Sequence, residues 1–206
     1  MSSPLIVLCG FVGSGKSTVA NHLVSRGFTQ LNFADTIKDI ISSLFTWDRE
    51  LLAGITPESR KWREETDKWW SDKLGFQITP RWAMQNIGTD VFRKHFSDNI
   101  WVASLERKIS TISGPVVIGD ARFPNEIEAM RKLGGKVVMV ERGPKPFWYG
   151  AAVSLARNEP SAWMEYMKSE SLPHISEVAW LGVVPDIVLD NNETVEELIQ
   201  KIDKSI

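Results

Sequence analysis

The chain has 206 residues, and 43% of them are apolar, which is enough to bury a core in one compact domain or in a domain carrying an insertion. Its 24 basic and 26 acidic side chains are mixed along the sequence and give a formal charge of -2, which disfavours binding to a nucleic-acid polymer. A single cysteine, Cys9, excludes an intramolecular disulfide, and neither a basic leader nor a run of roughly 18 apolar residues predicts secretion or a membrane span. We therefore expect a cytoplasmic protein.

Short runs of β-branched residues alternate with amphipathic segments, which is the pattern of βα units around a parallel sheet. Five strands are predicted, in chain order, at residues 5–9, 29–33, 116–119, 136–140 and 186–189. Most of these runs are almost continuously apolar, as expected for strands that are buried on both faces. The sequence thus predicts an α/β fold with a five-stranded parallel sheet and helices on both of its faces.

A helical insertion is predicted between the second and third strands, because no convincing strand occurs there. Thr56-Pro57 and Thr79-Pro80 each indicate an N-cap followed by proline in the first helical turn. Two apolar stripes at helical spacing follow, the second after a candidate cap at Asp98. The stripes consist of Met84, Ile87 and Val91, and of Trp101, Leu105, Ile109 and Ile112.

A second excursion, residues 143–172, separates the fourth strand from the fifth, and a helix is predicted at the C-terminal end. Thr194 and Glu197 form a capping-box pattern at the start of this helix. Its predicted apolar stripe consists of Val195, Leu198, Ile199 and Ile202.

The strongest chemical signal is the segment GFVGSGKS, residues 10–17, which matches the Walker A pattern and lies between a predicted strand and a predicted helix. Its glycines allow a tight loop whose backbone N–H groups converge on phosphate oxygens at the start of the next helix. Lys16 is expected to reach the β- and γ-phosphates of ATP, and Ser17 to bind Mg²⁺. The alternative is a structural turn with a surface lysine, but the order of strand, motif and helix favours the phosphate loop. The predicted nucleotide-binding residues are Gly10, Gly13, Ser14, Gly15, Lys16, Ser17 and Thr18.

Polar side chains follow the next two predicted strands. Asp35 comes after the second strand, and Asp120 and Arg122 come after the third. Ligands of open α/β sheets gather at the carboxyl ends of the strands, so these residues are expected to face the phosphate loop. Asp120 can hold the metal through water, as a Walker B-type carboxylate, and Arg122 can bind a phosphate through its rigid fork. The alternatives are a helix N-cap for Asp35 and an ordinary loop ion pair for Asp120 and Arg122.

An ordered set of segments gives the sequence a family resemblance. It comprises the Walker A loop, FADTIK after strand two, TPRWAMQNIGTDVFR in the insertion, DARFPNE after strand three, HISE late in the chain, and PDIVLDNNETVEEL near the end. With this combination the chain resembles the phage-type deoxynucleoside monophosphate kinases over nearly its whole length.

The resemblance implies a division of the chain and an activity. It implies one P-loop kinase domain with a core at residues 1–45, 113–142 and 173–206, a helical insertion at 46–112 that binds the nucleoside monophosphate, and a mobile lid at 143–172. It also implies phosphoryl transfer from ATP to a deoxynucleotide for DNA synthesis, in the host cytoplasm if the chain is phage-encoded.

The same resemblance suggests an acceptor site in the insertion. Arg81 would bind the acceptor phosphate, and Gln85, four residues later on the same helix face, would face the base. Lys38 and Asp35 would border this pocket. Trp82 can stack on a base or pack within the fold. The alternative for Arg81 and Gln85 is a role as solvated polar residues of a helix.

Residues in and near the predicted lid give weaker signals. His174 and Glu177 belong to the HISE segment, where a lone histidine at a helix start is more often structural. Arg142, Lys145 and Arg157 are candidates for a cation over the transferring phosphoryl group. The predicted catalytic set is Lys16, Arg81, Asp120 and Arg122, and the predicted metal ligands are Ser17 and Asp120.

The predicted reaction needs no general base, because the attacking oxygen of a monophosphate already carries negative charge near neutral pH. Two other readings are open: a dephospho-coenzyme A kinase or another small-molecule P-loop kinase, and an ATP-binding conformational switch protein. The expected partner is a small monophosphate substrate, with no nucleic-acid polymer or membrane, and a homodimer is one option for assembly. The sequence does not decide which bases or which sugar are accepted.

Overall fold

A five-stranded parallel sheet lies at the centre of the computed structural model, which describes residues 3–157 and 175–206. The strands are β1 (Leu5–Cys9), β2 (Thr29–Leu31), β3 (Val116–Ile118), β4 (Lys136–Glu141) and β5 (Ile187–Asp190). Their order across the sheet is β2-β3-β1-β4-β5, and all four neighbouring pairs are parallel. The predicted α/β fold class is confirmed.

Helices connect the strands and make up the segment between β2 and β3. The first six are α1 (Lys16–Ser25), α2 (Ala34–Phe45), α3 (Arg49–Ala53), α4 (Pro57–Trp62), α5 (Lys68–Leu74) and α6 (Pro80–Gln85), and α6 continues into a π-helix (Asn86–Phe96). The later ones are α7 (Ile100–Ile109), α8 (Pro124–Lys132), α9 (Tyr149–Ala156), α10 (Ile175–Val178), a 3₁₀ turn (Ala179–Gly182) and α11 (Val195–Asp203).

The strand ends differ from the predicted ones by one or two residues at most, because each ladder ends where its partner strand ends. β2 stops at Leu31, which pairs with Ile118 at the end of β3. β4 continues to Glu141, which pairs with Asp190 at the end of β5.

Burial on both faces holds for β1 and β3, holds in part for the inner strand β4, in which Lys136 is exposed, and does not hold for the sheet edges. β1 and β3 are buried along their whole length. In β2, Thr29 and Gln30 are exposed, and in β5 only Leu189 is buried. These two strands form the edges of the sheet and are the exceptions to the burial predicted for most of the strands.

The main core cluster surrounds β1 and fixes the strand that leads into the Walker A loop. Leu8, Val138 and Leu189 from the sheet pack with Leu23 of α1 and Leu198 of α11. These apolar contacts place the start of α1 directly at the carboxyl end of β1.

The cysteine of β1 is part of this buried layer. Cys9 is 2% exposed, and burial raises the pKa of its thiol to about 12. The thiol therefore stays protonated near neutral pH, as expected for an inert core cysteine.

The chain divides into two compact units. One consists of Met1–Asn32 and Glu106–Ile206 and contains the whole sheet, and the other consists of Phe33–Leu105 and has helices as its regular structure. The functional division into core, insertion and lid stays a prediction.

Two N-caps predicted in the helical unit, each a threonine followed by a proline, are confirmed. The Thr56 side chain accepts from the Ser59 N–H at the start of α4, and the Thr79 side chain accepts from the Trp82 N–H at the start of α6. These bonds satisfy helix N–H groups that have no partner within their own helix.

The predicted cap at Asp98 is wrong by one residue. α7 begins at Ile100, and the Asn99 carbonyl accepts the first bond of the helix from the Ala103 N–H. The Asp98 carboxylate instead accepts from Arg93 Nη1 at 2.9 Å.

The stripe through Met84, Ile87 and Val91 does not form as predicted. The π-helix begins at Asn86, and its wider turn rotates later residues away from an α-helical face. Val91 is consequently 45% exposed. In the second stripe, Trp101 and Leu105 are buried, whereas Ile112 lies beyond the end of α7.

The C-terminal helix begins as its sequence predicts. The Thr194 side chain accepts from the Glu197 N–H at 3.2 Å. Leu198 and Ile202 are buried, but Val195 in the first turn is 50% exposed, so the buried stripe is shorter than predicted. Within the described residues, no helix is both long enough and apolar enough to cross a membrane.

A buried glutamate shapes the loop between β3 and α8. Glu126 is 3% exposed, and its carboxylate accepts from the backbone N–H groups of Arg122 at 2.8 Å and Phe123 at 3.1 Å. A glutamate at the third helical position that reaches back to the N-cap residue is one half of a capping box. Glu126 thereby fixes the backbone at Arg122.

Glu126→Ala is expected to lower the free energy of unfolding by about 2 kcal/mol, because two backbone donors lose a charged acceptor. Urea denaturation followed by circular dichroism measures the change. Glu128→Ala, at an exposed position of the same helix, is the control and should stay within about 0.5 kcal/mol of the wild type. Equal losses in the two variants would contradict this role.

Candidate active site

The Walker A loop turns sharply from β1 into α1, and close packing excludes a side chain at two of its glycines. Gly10 has φ 139°, and a Cβ there would lie 2.4 Å from the Val140 carbonyl oxygen. Gly15 has φ 110°, and a Cβ there would lie 2.4 Å from Asn191 Nδ2. The sequence GFVGSGKS therefore folds as a tight loop because these positions need both a positive φ and the absence of a side chain.

Lys16, the first residue of α1, folds back over this loop. Its Nζ donates to the carbonyl oxygens of Gly10 and Phe11, each at 2.7 Å. The pKa of Lys16 is lowered from 10.5 to about 8, chiefly by burial and next by the nearby positive charge of Arg122, against the opposing effects of Cys9, Glu177 and Asp120. The ammonium group is thus a partly desolvated cation within the loop.

A small pocket brings together residues from three separate parts of the chain. It is lined by Gly10, Val12, Lys16, Asp120, Ala121, Arg122, Glu177 and Trp180. Because β3 lies next to β1 in the sheet, the residues that follow β3 come to the edge where the Walker A loop begins. Lys16, Asp120 and Arg122 therefore line one site, as expected from the position of the last two after the third strand.

Arg122 is anchored at both of its ends. Its backbone N–H is held by Glu126, and its Nη1 donates to Glu177 Oε1 at 2.9 Å. The alternative for Asp120 and Arg122 was an ordinary loop ion pair, and the structure shows an ion pair of Arg122 with Glu177. The sequence left the role of Glu177 open, because the 55 residues between the two give no local signal.

Asn191 was missed by the sequence analysis. It follows β5, is 8% exposed, and donates from Nδ2 to the Ser14 carbonyl oxygen at 2.8 Å. Its own backbone N–H donates to the Glu141 carbonyl oxygen at 2.8 Å. Asn191 thereby ties the last strand to the Walker A loop, across 177 residues of sequence that no motif connects.

Ser14 contributes a second buried polar group to the loop. The residue is 3% exposed, and its Oγ has no hydrogen-bond partner within the part of the chain that the structure describes. Buried hydroxyl groups are normally satisfied, so this oxygen marks the loop as a place where polar ligand atoms fit.

The donor set suits a magnesium ion that accompanies a nucleotide. Among residues 3–157 and 175–206, no group of three or more His, Cys, Asp or Glu side chains could hold a metal alone. Mg²⁺ usually binds through one or two protein oxygens, water and substrate phosphates. The exposed Ser17 hydroxyl and the Asp120 carboxylate are such oxygens.

The predicted acceptor residues lie in the helical unit. Arg81 Nε is paired with Glu64 Oε1, and the ring of Trp82 lies edge-on to Phe76, 5.2 Å between centroids. Trp82 is 37% exposed, so its ring packs against Phe76 and is also partly accessible. Gln85 is the last residue of α6, on the same face as Arg81.

Asp35 and Lys38 form an ion pair at 3.5 Å on α2, and Arg49 Nη2 lies 3.3 Å from the same Asp35 oxygen. Asp35 lies in the first turn of α2, one position past the start at Ala34, so the alternative of an N-cap is wrong. A carboxylate there still interacts favourably with the helix dipole.

The three cationic side chains that are candidates for the predicted lid, Arg142, Lys145 and Arg157, are all exposed. Lys145 lies 3.7 Å from Glu141 and 4.6 Å from the centre of the Tyr149 ring. His174 lies outside the described residues.

The contribution of Lys16 to stability should rise between about pH 8 and pH 10.5, because its folded-state pKa is lowered from 10.5 to about 8 and the unfolded chain then binds the extra proton. The cost of burying the charged lysine, fully present below about pH 8, is relieved as pH rises through this window. Across this window the unfolding free energy of the wild type, measured by urea denaturation at each pH, should rise relative to that of Lys16→Met by on the order of 2 kcal/mol.

The difference between the two pH curves isolates Lys16, because the raised pKa of Cys9 keeps its thiol protonated in the folded state of both proteins across this window. Lys132→Met, at an exposed position on α8, is the control and should reproduce the wild-type curve. Parallel curves for the wild type and Lys16→Met would contradict the lowered pKa.

Sequence comparisons with known proteins agree on one family. The family model for deoxynucleotide monophosphate kinase matches residues 62–146, a segment that contains Arg81, Asp120 and Arg122. A protein of Escherichia phage T5 named deoxynucleoside-5'-monophosphate kinase is 41% identical over 56 residues, which cover 27% of this chain and 22% of that protein. A solved structure, TT1252 from Thermus thermophilus, is 19% identical to this chain with a TM-score of 0.49, and the match covers 100% of this chain and 96% of that one.

A protein of Acanthamoeba polyphaga mimivirus that is assigned as a deoxynucleotide monophosphate kinase gives the longest match of these sequences. It is 32% identical over 214 residues, and the match covers 96% of this chain and 93% of the mimivirus protein. With a likeness of this extent, the chain belongs to the deoxynucleotide monophosphate kinase family.

Proposed function

We propose that this protein transfers the γ-phosphoryl group of ATP to the phosphate of a deoxynucleoside monophosphate, giving ADP and a deoxynucleoside diphosphate. The observation that carries the proposal is the pocket in which Lys16, Asp120 and Arg122 meet beside the Walker A loop. Family membership supports a phosphate acceptor on a deoxynucleotide, and it disfavours a dephospho-coenzyme A kinase and an ATP-driven switch protein.

The donor side of the reaction is assigned to the Walker A loop. Its backbone N–H groups would surround the phosphates of ATP, and Lys16 would exchange its contacts with the Gly10 and Phe11 carbonyls for phosphate oxygens. Ser17 and Asp120 would hold Mg²⁺, directly or through water, and the bound ion would neutralise charge on the β- and γ-phosphates.

The transfer step itself is a displacement at the γ-phosphorus. An oxygen of the acceptor phosphate forms the new bond to phosphorus, and the bond to the bridging oxygen breaks and leaves its electron pair on ADP. The attacking oxygen is already an anion, so the protein needs to position the reactants and offset charge rather than remove a proton. Arg122 lies beside Lys16 in the pocket, where a guanidinium can stabilise the transferring group.

The acceptor side is assigned to the helical unit. Arg81 would bind the phosphate of the monophosphate, and its pair with Glu64 would orient the guanidinium for that contact. Gln85 and the accessible face of Trp82 would contact the base, and Asp35 and Lys38 would border the same pocket.

A product assay tests the function. The protein is incubated with ATP, Mg²⁺ and, separately, each of the four common deoxynucleoside monophosphates and their ribose counterparts, and the products are separated by ion-exchange chromatography. We expect the diphosphate of at least one deoxynucleotide. Lys16→Met should lower turnover by more than about a hundredfold, because a transition-state cation is lost.

The control for this assay is Lys132→Met, at an exposed position on α8, which should keep wild-type turnover. The absence of a phosphorylated deoxynucleotide with every acceptor would overturn the proposed function. A Lys16→Met variant within about threefold of the wild type would remove the Walker A lysine from the mechanism.

Arg81→Ala should raise the apparent KM for the monophosphate by about tenfold or more, with a smaller fall in kcat and an unchanged KM for ATP. The reason is that Arg81 would contact the acceptor both before and during transfer. Lysine at this position should rescue only partly, because a point charge cannot reproduce a bidentate fork. Steady-state kinetics with the monophosphate varied at saturating ATP provide the measurement.

Arg60→Ala is the matched control for Arg81. Arg60 lies in the same helical unit, and its guanidinium caps the carbonyl oxygens of Gly54 and Ile55 on the surface. Its removal should leave both KM values unchanged. An Arg81→Ala variant with wild-type KM for the monophosphate would exclude Arg81 from the acceptor site.

A further inference from the structure

Arg122 depends on other side chains for its position. It lies in the loop between β3 and α8, and an arginine side chain loses up to about 2 kcal/mol of rotamer entropy when it is fixed. Glu126 holds the backbone N–H of Arg122 at 2.8 Å, which fixes the loop but not the guanidinium. The guanidinium is held at Nη1 by Glu177 Oε1, at 2.9 Å. This contact uses one of the five N–H donors of the planar guanidinium group.

Glu177 is itself supported by an aromatic cluster. The indole N–H of Trp180 donates to the Glu177 carbonyl oxygen at 2.9 Å, and Trp180 is 4% exposed. The Trp180 ring lies 5.0 Å from the ring of Phe11, at 70°. Phe11 also packs edge-on against Trp148, at 5.6 Å. Phe11, the second residue of the Walker A segment, thus supports the segment that carries Glu177.

The charges in the pocket favour a carboxylate at this position. Lys16 and Arg122 are both cations of one small pocket, and the charge of Arg122 helps to lower the pKa of Lys16. The negative charge of Glu177 acts in the opposite direction on the same lysine. Glu177 therefore offsets the repulsion that two neighbouring cations would otherwise experience.

We propose that Glu177 is the positioning residue for Arg122, holding its guanidinium in the phosphate pocket beside Lys16 so that it is in place when the phosphoryl group is transferred. The proposal rests on the proposed kinase function and adds to it a residue that touches no reacting atom. The indole N–H of Trp180 supports Glu177 through its carbonyl oxygen, and the ring of Phe11 packs against the ring of Trp180.

A purely structural ion pair has different consequences. The side chains of Arg122 and Glu177 are 40% and 23% exposed, and a pair at that exposure contributes roughly 0–1 kcal/mol to stability. A positioning role instead changes kcat, because only the transition state needs the guanidinium in one orientation.

The experiment is a double-mutant cycle read by steady-state kinetics with each substrate varied. Arg122→Ala is expected to lower kcat by about a hundredfold. Glu177→Ala should lower kcat by about tenfold, with both KM values within about threefold of the wild type. Glu177→Gln keeps an oxygen that accepts from Nη1 and should recover most of the loss. The double variant should be no slower than Arg122→Ala, because Glu177 acts through Arg122.

Two further variants sharpen the cycle. Trp180→Phe keeps a ring against Phe11 but removes the N–H that holds the Glu177 carbonyl, and it should lower kcat by about threefold in the wild type and not in the Arg122→Ala background. Glu196→Ala, at an exposed position on the C-terminal helix, is the matched control and should keep wild-type kinetics.

The rate at which phenylglyoxal modifies Arg122, followed by peptide mass spectrometry, reads the position of the guanidinium without turnover. Modification should be several-fold faster in Glu177→Ala than in the wild type, because the guanidinium is released. Inactive wild-type protein would overturn the proposed function while this rate still tests the positioning. An unchanged modification rate, unchanged kcat in Glu177→Ala, or losses that add fully in the double variant would each overturn the role of Glu177.

Discussion

The turn from β1 into α1 is the constraint on which the site depends. Gly10 is pressed against the Val140 carbonyl and Gly15 against the Asn191 amide, so the loop has room for only one path. That path brings Lys16 back over the carbonyls at the start of the loop. The core around β1 holds this turn in place, because Leu8 and Leu23 are fully buried on either side of it.

The sheet order then decides which charges meet the loop. Because β3 is the direct neighbour of β1, Asp120 and Arg122 reach the pocket although they are far from Lys16 in sequence. Glu177 lies on α10, the short helix between β4 and β5 in the chain. Two cations and two carboxylates therefore line one small pocket, and the nearby negative charges of Glu177 and Asp120 offset part of the cost of burying Lys16.

Features that depend on neighbouring residues could be predicted from the sequence. The threonine caps before Pro57 and Pro80 form because a side-chain oxygen satisfies an N–H three residues later. Features that depend on distant contacts could not. Val91 is exposed because the helix widens into a π-helix, and the start of α7 falls after Asn99, while the Asp98 carboxylate is drawn to Arg93.

The same distinction applies to the site. The sequence by itself determined the Walker A loop, the five strands and the positions of Asp120 and Arg122 after β3, because motif spacing and apolar runs are local properties. Only the tertiary structure decided that Arg122 pairs with Glu177 and that Asn191 holds the loop at Ser14. The two residues of each pair lie 55 and 177 positions apart, respectively. The sheet order decides which strand ends lie next to each other, and the local sequence around each residue does not contain that information.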